Sequence, residues 1–108
     1  MDKCLHARFQ ALGHPTRLDV IERLLRAPAT VSELAAAYSM ALPPFTKHLA
    51  VLERAGLIRS VKHGRVRTCR IDASALADMD RWFADRRSMC AARLDALEAY
   101  LNERNSRS

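Results

Sequence analysis

Residues 30–72 carry two helix patterns followed by two strand patterns, and this order restricts the fold more than any other feature of the chain. Thr30 and Glu33 have the spacing of a capping box, which marks the start of a helix. The proline pair at 43–44 suits the first turn of a second helix, because amide hydrogens there need no partner within the helix. Gly56 is placed to end this second helix, and a basic hairpin pattern follows it. The order predicts a helix-turn-helix followed by a β-hairpin wing.

Hydrophobic spacing predicts five helices and two strands in all. The helices are expected at about residues 4–12, 14–26, 31–38, 43–55 and 73–103, and the strands at 57–61 and 66–71 on either side of a four-residue loop. The expected buried stripe of the second helix consists of Leu18, Ile21, Leu24 and Leu25. The predicted fold class is mainly α with a β-hairpin wing, in one winged-helix domain spanning residues 1–108. Within it, residues 4–72 form the core with the wing at 57–71, and residues 73–103 form one long C-terminal helix.

The charge of the chain is spread unevenly. The 108 residues, enough for one domain, have a formal net charge of +6. Residues 1–72 contain 12 basic and 6 acidic side chains, whereas residues 73–108 contain 6 of each. There is neither an apolar run of membrane-spanning length nor the apolar segment of a signal peptide, and three cysteines do not suggest a disulfide framework. These observations predict a cytoplasmic protein with no membrane partner.

Basic side chains are concentrated in the helix and hairpin that end the winged-helix core. Residues 40–70 contain seven Lys and Arg against one acid, Glu53. Such an excess is typical of proteins that bind the phosphate backbone of nucleic acids. The wing residues expected to contact double-stranded DNA are Lys62, His63, Arg65 and Arg67. The alternative is an ordinary solvated hairpin, but the charge coincides with the helix-turn-helix, and this favours DNA.

The C-terminal helix indicates assembly. Residues 73–103 contain neither Gly nor Pro, and their apolar side chains repeat at steps of three, four or seven. Such a helix spans roughly 45 Å, whereas a compact domain of this size has a radius of gyration of about 13 Å. We therefore expect a homodimer in which a second subunit covers the last helix and the first helix packs alongside. The predicted interface consists of Leu5, Phe9, Leu12, Leu76, Met79, Phe83, Cys90, Leu94, Leu97 and Leu101. The alternative is a monomer whose core is completed by Trp82, Phe83 and Tyr100.

Several short motifs occur in the order and at the separations of one regulator family. They are His14-Pro15-Thr16-Arg17-Leu18, Val31-Ser32-Glu33-Leu34-Ala35, the segment from Phe45 to Ile58, the segment from Gly64 to Ile71, and an ending that runs from Trp82 through Arg93-Leu94-Asp95 to Tyr100-Leu101. With these motifs the chain resembles the ArsR/SmtB family of winged-helix repressors over about residues 5–102. The resemblance implies a homodimeric transcriptional repressor that binds an inverted-repeat DNA operator and is released by a small effector.

The fourth predicted helix is the one expected to enter the major groove of DNA. Helical spacing places Phe45, Leu49 and Leu52 on its core side. The base-facing residues expected near its start are Ala41, Leu42, Pro43, Thr46 and Lys47. His48 lies on the flank, where the resemblance implies a contact with the DNA backbone and where a helix-packing role is the alternative.

At positions 41 and 42 the chain departs from the family. The family usually has a polar pair here, whereas this chain has Ala41 and Leu42. Fewer hydrogen bonds to base edges are therefore expected at the helix entry. Specificity is expected to depend more on DNA shape and on the wing.

The sequence leaves the effector undefined. Metal-sensing members of the family carry Cys-x-Cys on the third helix or Asp and His pairs on the last, whereas here the third helix has no thiol or imidazole and residues 73–108 contain no His. We therefore expect no metal site and no cofactor. Cys4 and Cys90 lie on segments expected to meet in the dimer, where they could bind a thiophilic ion or form a redox disulfide. The alternative is that both thiols are ordinary apolar side chains, and Cys69 is expected to be half-buried in the wing strand.

Two other functional classes are alternatives to a DNA-binding regulator. The chain has no Gly-rich phosphate loop, no HxxEH metal motif and no nucleophile with a base at a recognisable spacing, so it is not expected to be an enzyme. The second alternative is a winged-helix interaction module that binds protein without specific DNA binding. Such a module would not need a wing free of acids, and its binding would not weaken steeply with salt.

Overall fold

The computed structural model describes residues 3–106, and it shows a mainly helical chain with a small antiparallel sheet. The elements in chain order are α1 (Lys3–Leu12), α2 (Pro15–Arg26), β1 (Ala29–Thr30), α3 (Val31–Ala35), α4 (Leu42–Arg54), β2 (Ile58–His63), β3 (Val66–Ile71) and α5 (Ala73–Ser106). The predicted fold class is confirmed. The chain forms two compact units, Met1–Leu76 and Ala77–Ser108, which divide inside α5. The assignment of residues 1–108 to a single domain with a dimerisation helix stays a prediction.

The start of α2 follows from local chemistry. His14 is extended and its Nδ1 accepts the Thr16 amide hydrogen at 3.1 Å, while Pro15 occupies the first helical position. The buried residues of this helix are Val20, Ile21 and Leu24.

Two members of the stripe predicted for α2 are exposed. Leu18 is 46% exposed and Leu25 is 59% exposed, so their assignment to the buried stripe is wrong. At about 100° per residue, both lie roughly 90° or more from the centre of the face that Val20, Ile21 and Leu24 form. Val20, which the prediction omitted, completes the stripe instead.

The third helix is shorter than predicted. Thr30 Oγ1 accepts the Glu33 amide hydrogen at 3.1 Å, which confirms the predicted cap, but α3 ends at Ala35 and not at Tyr38. The amides of Ala37 and Tyr38 donate to carbonyls three residues earlier, as in a tight turn, and not four residues earlier as in an α-helix. The Tyr38 hydroxyl donates to Asp19, and its ring stacks on Phe45 with centroids 5.3 Å apart. These tertiary contacts hold Tyr38 outside the helix.

The sheet has three strands in the order β1-β3-β2. The sequence did not predict β1, which pairs Ala29 with Cys69 and Thr30 with Thr68. The wing strands extend further than predicted, because His63 pairs with Val66. The predicted four-residue loop is therefore wrong: the connection is a two-residue turn whose Gly64 has a φ of +60°. A positive φ at the first turn residue alone is the pattern of a type II′ hairpin turn.

The C-terminal end of α4 is a Schellman motif. Gly56 has a φ of +79°, its amide donates to Glu53, and the Leu57 amide donates to Leu52. The largest fully buried side chains of the first unit are Phe45, Leu34, Leu52, Leu57, Ile58, Val20 and Cys69. Cys69 is thus fully buried, and not half-buried as expected.

Asp72 precedes α5, and its carboxylate accepts hydrogen bonds at the N-terminus of that helix. The carboxylate accepts both the amide and the hydroxyl hydrogen of Ser74 and also a hydrogen from Arg59 Nε, at 3.0, 2.6 and 2.9 Å. The Ser74 hydroxyl and then Arg59 lower the pKa of Asp72 to about 2. The helix that follows has 34 residues and is therefore about 51 Å long.

Candidate nucleic-acid interface

Helix α4 has one buried face and one exposed face. Phe45, Leu49 and Leu52 are buried, as predicted. All five residues expected to face the bases, Ala41, Leu42, Pro43, Thr46 and Lys47, are exposed. The periodicity of the helix thus leaves the predicted reading face free of core contacts, whereas its contact with DNA stays a prediction.

The first turn of α4 offers few polar donors. Ala41 is the N-cap and makes no side-chain cap bond, and Pro43 and Pro44 have no amide hydrogen. The Thr46 hydroxyl donates to the Pro43 carbonyl at 2.9 Å, which leaves its oxygen as an acceptor. Backbone amides at a helix start often bind phosphate, but here two of them are missing. This end of α4 therefore offers an anion side chains more than backbone donors.

The wing supplies basic side chains. Lys62, His63, Arg65 and Arg67 are all exposed. Lys62 and His63 lie in β2, Arg67 lies in β3, and Arg65 is the second residue of the turn. Lys62 pairs directly with Arg67, so two cations stand side by side on one face of the hairpin. Like charges in this position repel each other, and an anion between them relieves the repulsion.

A groove of about 530 Å³ separates α4 from the wing. Its walls include Thr46 and Ala50 of α4 and the wing residues Lys62 and Arg67. Glu53 also lines the groove, and its carboxylate accepts the Ser60 hydroxyl hydrogen at 2.8 Å. The Ser60 oxygen in turn accepts from Arg67 Nη1 at 3.4 Å. This chain of hydrogen bonds connects the helix to the wing.

His48 is held on the flank of α4 by residues that the sequence analysis did not assign to the site. Its Nδ1 accepts from Arg17 Nη1 at 3.2 Å, and its ring lies 4.3 Å from the ring of His14 between centroids. Burial lowers the pKa of His48, and the basic neighbours His14 and Arg17 lower it further. The ring packs against α2 and remains half-buried, so the DNA contact and the packing role both stay open. No local sequence pattern signalled this cluster, because Arg17 and His48 are 31 positions apart.

The predicted interface residues differ in exposure. Those that are exposed on α5 are Phe83, Cys90, Leu94, Leu97 and Leu101. Phe9, Leu12 and Leu76 are half-buried, whereas Leu5 and Met79 are each only 6% exposed in the single chain. Trp82, the first aromatic residue of the monomer alternative, contacts Phe83 edge-on and lies under the Arg86 guanidinium. Among the large apolar side chains of residues 4–105, Leu94 is the most exposed, at 65%.

The three thiols have different environments. Cys4 and Cys90 are exposed, whereas Cys69 is buried. Burial raises the pKa of the Cys69 thiol, with a further contribution from Glu53. Cys69 is therefore the least reactive of the three by environment. Within residues 3–106, no group of three or more His, Cys, Asp or Glu side chains is arranged to hold a metal ion.

Comparison with known proteins identifies the family. A model of a helix-turn-helix domain matches residues 12–61. The HTH-type transcriptional regulator Rv2034 of Mycobacterium tuberculosis is 35% identical in an alignment 79 residues long, which covers 69% of this chain and 74% of the relative. The crystal structure of the ArsR family transcriptional regulator RHA00566 is 48% identical in sequence and superposes with a TM-score of 0.76. The match covers 81% of this chain and 90% of the chain in that crystal structure. The chain belongs to the ArsR family of transcriptional regulators.

Other ArsR-type structures agree with this assignment. An ArsR-like transcriptional regulator from Rhodococcus sp. RHA1 is 31% identical, covers 87% of this chain and 89% of its own, and has a TM-score of 0.75. A homodimeric winged helix-turn-helix DNA-binding domain from Mycobacterium bovis is 25% identical, covers 84% of this chain and 82% of its own, and has a TM-score of 0.61. The resemblance found in the sequence is thus confirmed, and the ArsR relatives are transcriptional regulators and not enzymes. In the part of this ArsR chain that the structure describes, no helix is long and apolar enough to cross a membrane.

Proposed function

We propose that this ArsR-family regulator is a dimeric repressor that binds an inverted-repeat operator in double-stranded DNA and leaves it when an effector binds. The observation that carries the proposal is the exposed face of α4 beside the basic wing. Thr46 of α4 and Lys62 and Arg67 of the wing line one groove. A helix that reads bases and a hairpin that holds phosphates are the two parts that a winged-helix protein needs on DNA.

The exposed residues of α4 fit particular base edges. Lys47 carries a donor that suits guanine O6 and N7 in the major groove. Thr46, whose hydroxyl hydrogen is used within the helix, accepts from the amino group of adenine or cytosine. Ala41 and Leu42 are apolar and suit a thymine methyl group. Of these residues, Lys47 is therefore the one expected to discriminate most strongly between base pairs.

The wing and His48 supply contacts with the DNA backbone. Lys62 and Arg67 stand side by side, and a phosphate between them relieves their mutual repulsion. Arg65 projects from the turn, and His63 ends β2 beside it. His48, on the flank of α4, donates to a further phosphate. These contacts position the protein, whereas α4 selects the sequence.

A dimer follows from the exposed apolar face of α5. Phe83, Leu94, Leu97 and Leu101 are between 45% and 65% exposed in the single chain. A second copy of the chain covers this face in our proposal, and the homodimeric relative from Mycobacterium bovis supports it. Twofold symmetry then implies an inverted repeat with half-site centres about 34–36 Å apart, one turn of DNA, or a multiple of that distance.

The repressor is proposed to act in the cytoplasm and to respond to an effector whose identity is open. Zn, Ni and Co are not expected to release it, because the last helix lacks His and the third helix lacks thiols. A thiol switch through Cys4 and Cys90 predicts release by arsenite or by a thiol oxidant, and this release must vanish in Cys90→Ser. Release that persists in Cys90→Ser removes Cys90 from the sensor.

Selection of bound fragments from random duplex DNA tests the proposal directly. The expected product is an enriched inverted repeat, because a symmetric dimer reads the same half-site twice. Binding to the selected duplex is then measured over a range of salt concentrations. Failure to enrich any sequence, together with binding that hardly depends on salt, would favour the protein-interaction module instead.

A further inference from the structure

Arg17 joins three helices through one guanidinium group. It belongs to α2, and its Nε donates to the Ala11 carbonyl at 2.6 Å while its Nη2 donates to the Gln10 carbonyl at 3.4 Å. Both carbonyls lie in the last turn of α1, where backbone oxygens lack the usual helical partner. Arg17 therefore caps α1, and the cap fixes the position of its guanidinium.

The remaining arm of the guanidinium determines the tautomer of His48. Arg17 Nη1 lies 3.2 Å from His48 Nδ1. A guanidinium donates hydrogen bonds and cannot accept them, so Nδ1 must present a lone pair. The single ring proton of neutral His48 is then on Nε2.

The surroundings of His48 favour this neutral ring. The His14 ring lies against it with centroids 4.3 Å apart and planes tilted by 40°, and the Nδ1 of His14 accepts the Thr16 amide hydrogen. Burial lowers the pKa of His48, and the two charged or titratable groups that act on it, His14 and Arg17, are both basic and lower it further. An imidazolium at position 48 would direct a second N–H at the Arg17 cation.

The Nε2–H of His48 is the ring donor that no hydrogen bond within the described residues engages. Among residues 3–106, the bond from Arg17 is the hydrogen bond found for the His48 ring, and it engages the other nitrogen. The ring is half-buried on α4 and follows the exposed Lys47. A neutral N–H donor beside a base-reading side chain suits a phosphate oxygen.

We propose that Arg17 is a positioning residue for DNA binding, which holds His48 as a neutral imidazole with Nε2–H free to donate to a phosphate. The inference rests on the proposed function, because it assumes that the α4 face meets DNA. A neutral donor forms a hydrogen bond without displacing a counterion. The contribution of His48 to affinity is therefore independent of salt, unlike that of the wing cations.

The first test needs no DNA. Nitrogen-15 NMR of the free wild-type protein measures which ring nitrogen of His48 carries the proton. The expected result is the Nε2–H tautomer in the wild type and a mixture of tautomers in Arg17→Met, because methionine donates no hydrogen bond. An Nδ1–H tautomer in the wild type overturns the inference.

The second test compares operator affinity in four proteins across salt concentrations. His48→Ala is expected to bind about 10-fold more weakly for each protomer, hence about 100-fold for the dimer. The slope of log affinity against log salt concentration is expected to stay unchanged. His48→Gln is the matched control, because its amide nitrogen places a donor near the position of Nε2, and it is expected to retain most of the affinity. Arg17→Met is expected to match His48→Ala.

The combination of Arg17→Met with His48→Ala separates a positioning role from a general structural one. Because Arg17 acts through His48, the double variant is expected to bind no more weakly than either single variant. Additive losses, or equal affinity for His48→Gln and His48→Ala, overturn the inference. Circular dichroism and thermal melting check the fold of each variant. If Arg17→Met does not fold, the two His48 variants and the wild-type tautomer decide the matter.

Different results would overturn the proposed function and the inference about Arg17. A wild type that binds no DNA at any salt concentration overturns the proposed function, and the DNA role of Arg17 with it. A wild type that binds its operator, with His48→Ala binding equally well, overturns only the inference.

Discussion

Removing two arginines from the wing should weaken the salt dependence of DNA binding by a calculable amount. Lys62, Arg65 and Arg67 are three exposed wing cations in each protomer, hence six in a dimer. Each phosphate contact contributes about 0.9 to the slope of log affinity against log salt. The wild type is therefore expected to have a slope of about −5 and to lose about 10³-fold in affinity between 50 and 200 mM salt.

The variant Arg65→Ala with Arg67→Ala removes four of these contacts from the dimer. Its slope should be less steep by about 3.6. The affinity lost over the same fourfold rise in salt should therefore be about 100-fold less than in the wild type. The weakening should be alike for all DNA sequences, because phosphates carry no sequence information. Fluorescence anisotropy with a labelled operator and a scrambled duplex, at four or more salt concentrations, gives both slopes.

The matched control is Arg26→Ala with Arg104→Ala. Both arginines are exposed and lie outside α4 and the wing, and their removal changes the net charge by the same amount. If the effect comes from local phosphate contacts, this control keeps nearly the wild-type slope. Equal slopes in the two double variants would show that net charge alone sets the salt dependence. That result would refute the assignment of phosphate contacts to the wing.

Four further predictions concern specificity, stability, pH and assembly. Lys47→Ala should change base preference at one position in each half-site, seen by repeating the fragment selection; uniform weakening would make Lys47 a phosphate contact. Gly56→Ala should lower the free energy of unfolding by about 1–2 kcal/mol in urea titrations, because alanine is strained at a positive φ; an unchanged midpoint would contradict this. Folding lowers the pKa of His48, so the contribution of neutral His48 to stability is complete above about pH 6.5 and declines as the pH falls below that value. Thermal melting of the wild type and of His48→Gln over a range of pH measures this decline. Identical pH profiles of the two proteins would contradict the prediction. Leu94→Glu should yield monomers or unfolded protein in analytical ultracentrifugation, because it buries a charge in the proposed interface; a stable dimer would exclude Leu94 from that interface.

The elements that the sequence predicted are those with strong local signals. Pro15 starts α2, Thr30 caps α3, and Gly56 ends α4, and each acts within a few residues of itself. The exposed face of α4 was predictable for the same reason, since helical periodicity alone separates it from the core. The contacts of this face with DNA, and the dimer interface, stay predictions.

The features that the sequence did not predict depend on distant residues. Strand β1 has two residues and exists only because β3, far along the chain, pairs with it. Tyr38 leaves α3 because Asp19 and Phe45 engage it. The bond between Arg17 and His48 joins residues 31 positions apart, so no local pattern could indicate it. Tertiary contacts override local propensity at all three places.

The dual use of Thr30 determines which part of the wing can be exchanged between regulators. Thr30 pairs with Thr68 of the wing strand, and its hydroxyl oxygen caps α3. The outer pairs of the hairpin, Lys62 with Arg67 and His63 with Val66, lie beyond the reach of β1. Residues 62–67 can therefore be replaced as a unit by hairpin ends of other charge or length. A replacement that extends to residue 68 would also alter the pairing with Thr30, and with it the helix-turn-helix.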